Sequence, residues 1–209
     1  MWFRLVVRTV GLLGGFNYRQ GYDYSSACGV CGAGAIPEGA LVAQLSRMGR
    51  KQLDRTAHDG HVVVTTSLAA RLVEARITGV EVRPARRRHR VSPDSGYRWL
   101  HIVSTWPPMA PGSAVTTDDL CPQCHRTGYF DVGPEIGEWR YSALPIDLTD
   151  FCYTWERFGY WRSKGWEPGL RGVGGAGGVI ISTRARALLE ECGVRHLEFV
   201  PIRLMNDVA

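Results

Sequence analysis

Residues 62–86, VVVTTSLAARLVEARITGVEVRPAR, align without a gap to residues 179–203, VIISTRARALLEECGVRHLEFVPIR, at an offset of 117. Self-similarity at a fixed spacing marks a repeated structural unit. Thr66, Ala70, Leu72, Glu74, Glu81, Pro84 and Arg86 recur as Thr183, Ala187, Leu189, Glu191, Glu198, Pro201 and Arg203. Three β-branched residues open each copy (62–64 and 179–181) and predict a short buried strand. Thr66 or Thr183 follows as the expected helix N-cap, its hydroxyl meeting backbone N–H groups that lack an intrahelical partner. Leu68, Leu72 and Val73, or Ala185, Leu188 and Leu189, then fall at the three-to-four spacing of one apolar helix stripe. Val80-Glu81-Val82 and Leu197-Glu198-Phe199 alternate as a strand with the glutamate outward, and proline is expected to end it. The expected fold is α+β, built from two related halves, residues 1–105 and 106–209, that form one compact two-lobed domain.

Upstream of each unit stands one CxxC: CGVCG at 28–32 and CPQCH at 121–125, with 89 residues between Cys31 and Cys121. Two intervening residues let both thiolates of a knuckle turn toward one ion, and four such ligands suit tetrahedral zinc. Cys28, Cys31, Cys121 and Cys124 are therefore the expected ligands of one structural Zn2+ per chain. The site is zinc-ribbon-like in its ligands, but its long spacing makes it a clamp between halves; closing so long a loop costs little extra, because the cost grows only with the logarithm of length. His125 stands where the first knuckle has Gly32. Three rivals stay open. A thioredoxin-like redox pair would need a helix after its CxxC, whereas CGVCGAGAIPEG runs through glycines and a proline. CPQCH also spells the c-type haem attachment signature, which requires export. Four unligated cysteines are the third. Cys152 and Cys192 read as small buried residues.

With 209 residues, 44% of them hydrophobic, the chain can bury a core without cross-links. The opening MWFRLVVRTVGLLGGF is broken by Arg4 and Arg8 and has no small-residue cleavage site, so a buried or edge strand is expected there rather than a signal peptide. No stretch approaches the roughly 18 apolar residues of a membrane span, and the expected compartment is the cytoplasm, where paired cysteines hold metal more often than they form disulfides. The net charge of +5 and the run Arg83, Arg86, Arg87, Arg88, His89, Arg90 define an alternative function, a zinc-ribbon-type nucleic-acid binder. Because 20 acids are interspersed with 25 bases, that loop reads better as solvated surface, and nucleic acid is not the expected partner. The aromatic run 151–166 reads as core, with Trp155, Tyr160, Trp161 and Trp166 as partner-binding candidates. WPPMAPGSAVTTDD (106–119) is the expected linker. GVGGAG (172–177) spells GxGxxG but precedes a strand, so a loop is expected. His58 and His61, in HDGH, read as a solvated turn, and no residues pair a nucleophile with a base, so no enzyme is expected.

CGVCG, the imperfect CPQCH and the closing VIISTRARALLEECGVRHLEFVPIRL together resemble the double-CXXCG motif proteins, a paralogous family of myxobacteria. The family includes immunity proteins of swarm-inhibition toxin systems. The resemblance implies a cytosolic antitoxin that binds a cognate toxin without catalysis. As nuclease inhibitors are often acidic and this chain is basic, any acidic contacts would be local, with Asp118, Asp119, Asp131, Glu135, Glu138, Asp147 and Asp150 as candidates.

Overall fold

The computed structural model describes residues 1–7, 21–30, 32–43, 52–55, 60–87, 96–113, 121, 123–126, 128–129, 138–158 and 176–205. Fourteen strands and two helices occupy them: β1 (Trp2–Val7), β2 (Tyr22–Asp23), β3 (Ile36–Pro37), β4 (Leu41–Ala43), β5 (Leu53–Arg55), β6 (Val62–Thr65), α1 (Thr66–Glu74), β7 (Val80–Arg87), β8 (Tyr97–Ile102), β9 (Gly128–Tyr129), β10 (Arg140–Tyr141), β11 (Phe151–Phe158), β12 (Ala176–Ser182), α2 (Thr183–Glu191), β13 (Leu197–Pro201) and β14 (Arg203–Leu204). The architecture is mixed α+β and mostly sheet. One five-stranded sheet runs β4-β7-β8-β6-β5 and a second runs β13-β1-β12-β11-β9.

Both strand-helix-strand units form where the repeat places them, and their local hydrogen bonds match at the offset of 117. At the N-termini, Leu68 N–H donates to Thr65 Oγ1 (3.3 Å) and Ala185 N–H to Ser182 Oγ (3.0 Å). The caps are thus one residue earlier than expected: Thr65 and Ser182 keep extended backbone, while Thr66 and Thr183 are already helical. At the C-termini, the amides of Ala75, Arg76 and Ile77 donate to the carbonyls of Arg71, Val73 and Leu72. Those of Cys192, Gly193 and Val194 donate to Leu188, Glu190 and Leu189. Each closure needs left-handed backbone twice, at Arg76 (φ 50°) and Gly79 (φ 81°), and at Gly193 (φ 66°) and His196 (φ 66°). The conformation persists while glycine changes places within the motif.

Strand β7 does not stop at Pro84. It pairs antiparallel with β8 through Pro84, then pairs parallel with β4 from Ala85. Proline lacks the N–H of a ladder, and here it sits where the strand changes partners. The helix stripe also differs: Leu68, Ala69 and Leu72 are buried in α1, whereas Val73 is 62% exposed. The GxGxxG stretch is partly strand, since β12 begins at Ala176. A Cβ on Gly178 would collide with the Trp139 ring, so the missing side chain is what lets the indole pack.

The expected N-terminal strand is central. β1 lies between β12 and β13, with Leu5 opposite Val179 on one side and Phe199 on the other. β8 lies in the same way between β6 and β7, with Leu100 opposite Val62 and Val82. A division at 105/106 therefore does not separate the sheets, because residues 2–7 complete the second one.

Alternation along the strands sorts side chains onto two faces. Val62, Val64, Val179 and Ile181 join Leu68, Leu72, Leu188 and Leu189 in one core shared by both sheets and both helices. Val63 turns the other way onto Trp99, and Ile180 onto Trp106 and Trp139. Trp106, placed in the expected linker, is 1% exposed and anchors that segment. Polar ties add to the shared core. Asp150 accepts from Thr78 N–H (2.9 Å) and Ser182 Oγ (2.6 Å) and pairs with Arg184 (3.3 Å). Arg184, in the first turn of α2, donates to the carbonyls of Ala75 and Arg76 at the end of α1. Gln52 donates to the Cys192 carbonyl at the end of α2 (3.1 Å). Each helix C-terminus is thereby satisfied from the other half of the chain.

Candidate metal centre

The first knuckle is the loop between β2 and β3, which pair antiparallel through Tyr22–Pro37 and Asp23–Ile36. Within it, Gly32 N–H donates to the Cys28 carbonyl (2.7 Å) and Cys28 N–H to the Ala33 carbonyl (2.8 Å). In the second knuckle, His125 N–H donates to the Cys121 carbonyl (2.9 Å) and Cys121 N–H to the Arg126 carbonyl (3.0 Å). The two loops therefore share one backbone design. Gly32 (φ 67°) and His125 (φ 55°) occupy its left-handed position. Left-handed backbone costs a non-glycine residue about 1–2 kcal/mol, so the histidine is tolerated at a penalty while the turn keeps its shape.

The sulfurs of Cys28, Cys121 and Cys124 all lie within 4.8 Å of one another. Cys28 Sγ is 3.7 Å from Cys121 Sγ, and these residues are 93 positions apart. A tetrahedral zinc with Zn–S bonds of about 2.3 Å sets its sulfurs about 3.8 Å apart. A disulfide needs about 2.05 Å. The donor set and its spacing fit a thiophilic metal, and the described cysteines form no disulfide. Cys121 is buried, Cys28 and Cys124 are half-buried, and Ala33 packs against them. Cys31, the fourth expected ligand, lies outside the described residues.

The geometry bears on the rivals. The turns after Gly32 lead into β3 with no helix, unlike a thioredoxin-type CxxC. Both thiols of CPQCH face a third thiol from the other knuckle. Cys152 is 1% exposed, and burial pushes its thiol pKa up against the lowering contact with Thr149. Cys192 is the half-buried C-cap of α2.

Of the partner-binding candidates, Trp155 is half-buried in β11 beneath the Arg126 guanidinium, 4.4 Å from Cζ to ring centroid. Tyr160, Trp161 and Trp166 lie outside the described residues, as do Arg88, His89, Arg90, Asp118, Asp119, Asp131 and Glu135. Within the basic run, Arg83 is bound to Glu81 (2.6 Å) and Arg86 is exposed. Asp150 is 7% exposed and is a clamp inside the protein, not an acidic surface contact. Glu138 pairs with Arg140 (2.6 Å) and Arg203 (2.5 Å), while Asp147 is exposed.

Two features had no motif to announce them. His61 is half-buried, edge-on to Trp99 (5.2 Å), rather than in a solvated turn, and lines a cleft with His101 and Arg126. The segment between β10 and β11 displays Leu144, Ile146 and Leu148 at 40%, 100% and 55% exposure. Among the described residues no helix is long and apolar enough to cross a membrane. No family model matches the chain, and no curated protein matches its sequence.

Proposed function

We propose that the chain is an immunity protein, a non-catalytic binder that neutralises a cognate contact-delivered toxin in the cytoplasm by occluding it. The observation that carries its metal-clamped form is the approach of Cys28 to Cys121 and Cys124 from the other knuckle. In this reading the two strand-helix-strand units are duplicated copies, and one zinc, completed by Cys31, holds their knuckles together. Zinc would supply a redox-inert cross-link. The toxin-binding part is supported by the motif resemblance and by Leu144, Ile146 and Leu148, three exposed apolar side chains within five residues of one connecting segment.

Elemental analysis of purified protein should find about one zinc per chain. Cys121→Ser should lose it and Cys152→Ser should keep it; metal absent from the native protein, or unaffected by Cys121→Ser, overturns the clamp. Co-expression with the toxin encoded beside it should rescue growth. Ile146→Asp should abolish rescue while leaving zinc content and thermal unfolding unchanged, and loss of rescue on changing Arg86 instead would move the binding face to the basic strand.

A further inference from the structure

Where the two knuckles meet the two sheets, the molecule holds a half-open cleft of about 340 Å³. The backbone leaving the first knuckle (34–36) and Arg126 leaving the second form one side; Glu81, Arg83 and His101 of the first sheet face Tyr153 of the second. Four of the groups lining it are cationic or can become so: Arg83, Arg126, His61 and His101. Aromatic rings fix them in place. Arg83 Cζ is 5.4 Å from the Trp99 ring centroid, Arg126 Cζ is 4.4 Å from that of Trp155, and the His101 ring is 4.8 Å from Trp99. Such contacts hold each guanidinium over a ring, the imidazole packs tilted at 56° on Trp99, and N–H groups at their edges are left to bind.

The donors of Arg83, Arg126 and His101 are largely uncommitted among the described residues. Arg83 spends Nε and Nη2 on Glu81 (3.0 and 2.6 Å) and keeps Nη1. Glu81 is the one carboxylate among the described lining residues, and this pair already engages it. Among the described residues, neither the Arg126 guanidinium nor the His101 ring makes a hydrogen bond or ion pair. Positive groups converging on a partly enclosed space create a field that water screens weakly. The volume sits at the small end of ligand pockets, which run from about 300 to 1,000 Å³, so the cleft suits a small molecule and not a polymer.

We infer that this cleft binds a small oxyanion-bearing ligand, a phosphate ester or a polycarboxylate, held by the Arg126 guanidinium, the His101 imidazole and Arg83 Nη1. Arg126 is the principal donor, because a guanidinium presents two parallel N–H groups to an oxyanion. His101 acts conditionally. Burial first, and then the charge of Arg83, hold its pKa below the ordinary 6.5, with Glu81 opposing. Arg83 and Glu81 of β7, His61 ahead of β6 and Arg126 after the second knuckle are the charged or titratable groups around it. A bound anion offsets the cations and draws a proton onto the imidazole, so affinity should rise as pH falls through the folded value. Because both knuckle exits wall the cleft, metal occupancy and ligand binding should reinforce each other.

Isothermal titration of the purified full chain with inorganic pyrophosphate and, separately, citrate tests this, with the His101 ring proton followed by NMR. At least one probe should bind saturably and raise the His101 titration midpoint; which of the two binds more tightly distinguishes a phosphate ester from a carboxylate source. Below the His101 midpoint, His101→Gln should weaken that binding by about tenfold, the loss of one charge-assisted hydrogen bond, and Arg126→Gln, which removes two, should weaken it more. Arg86→Gln, which changes net charge equally outside the cleft, should leave it unchanged. Absence of saturable binding by either probe, an unmoved His101 midpoint, or equal losses in Arg86→Gln and Arg126→Gln would overturn the assignment.

Discussion

Glu156 shows what a single buried group imposes. It is 3% exposed, and burial pushes its carboxyl pKa up, against smaller lowering from the Met109 N–H (2.7 Å to Oε1) and Arg126. The folded chain therefore keeps a proton that the unfolded chain releases near the ordinary 4.5. Stability falls as pH rises from there through the folded value. Glu156→Gln, which retains an acceptor for Met109, should raise thermal stability at pH 7 to 8 and give no gain near pH 4; a gain independent of pH would point to packing instead. The helix caps make a second residue-scale comparison. Thr65→Ala removes one cap, worth about 1 kcal/mol. Ser182→Ala removes a cap and also the 2.6 Å hydrogen bond to buried Asp150, so denaturant unfolding should show the larger loss. Residue types alone placed these caps one position late, because 65–66 and 182–183 each offer two adjacent hydroxyls and only backbone geometry chooses between them.

At the scale of the element, the two helix-to-strand corners do the same work with different residues. Arg76 and Gly193 share one left-handed position, and Gly79 and His196 share the other. Arg76→Gly should therefore stabilise the protein, and Gly193→Ala should destabilise it by about 1–2 kcal/mol. A Cβ at Gly193 meets nothing within 4 Å, so that cost is conformational and denaturant melts should read it directly. Equal and opposite shifts would identify the corner as one motif. The apolar stripes, alternating strands and knuckle spacing were legible because their partners lie within a few residues. The strand YRWLHI of β8 buries Tyr97 and Trp99 in one core cluster and Leu100 and Ile102 in another, so it shows no single apolar face, and nothing in it named β6 and β7 as its neighbours.

For the whole molecule, β1 is the decisive connection. It completes the second sheet from the far end of the chain, as β8 completes the first from the adjoining loop. Deleting residues 1–7 would cut β13 off from the sheet, leave β12 paired on its β11 side alone, and remove Phe3, Leu5 and Val7 from the shared core. That variant should lose its cooperative thermal transition. Phe3 lies opposite Pro201, so the end of β13 is beside the start of β1. Moving residues 1–7 to the C-terminus through a short loop should restore the transition, since the strand would return to the same slot with the connectivity the first sheet already uses. Failure of that permuted chain would show that the N-terminal attachment itself is required.

By itself the sequence determined the local grammar of this protein: two strand-helix-strand units and two cysteine knuckles. Local rules are written in neighbouring residues, through caps, side-chain periodicity and the sterics of φ. The paired CxxC motifs already pointed Cys28 toward Cys121 and Cys124, but tertiary structure alone decided that β1 inserts between β12 and β13 and that His101 and Arg126 line one cleft. Loop closure costs scarcely more across a hundred residues than across fifty, so separation along the chain carries little information about which groups meet. Burial of the shared core selects those meetings, and it depends on which surfaces come together in three dimensions, not on their order along the chain.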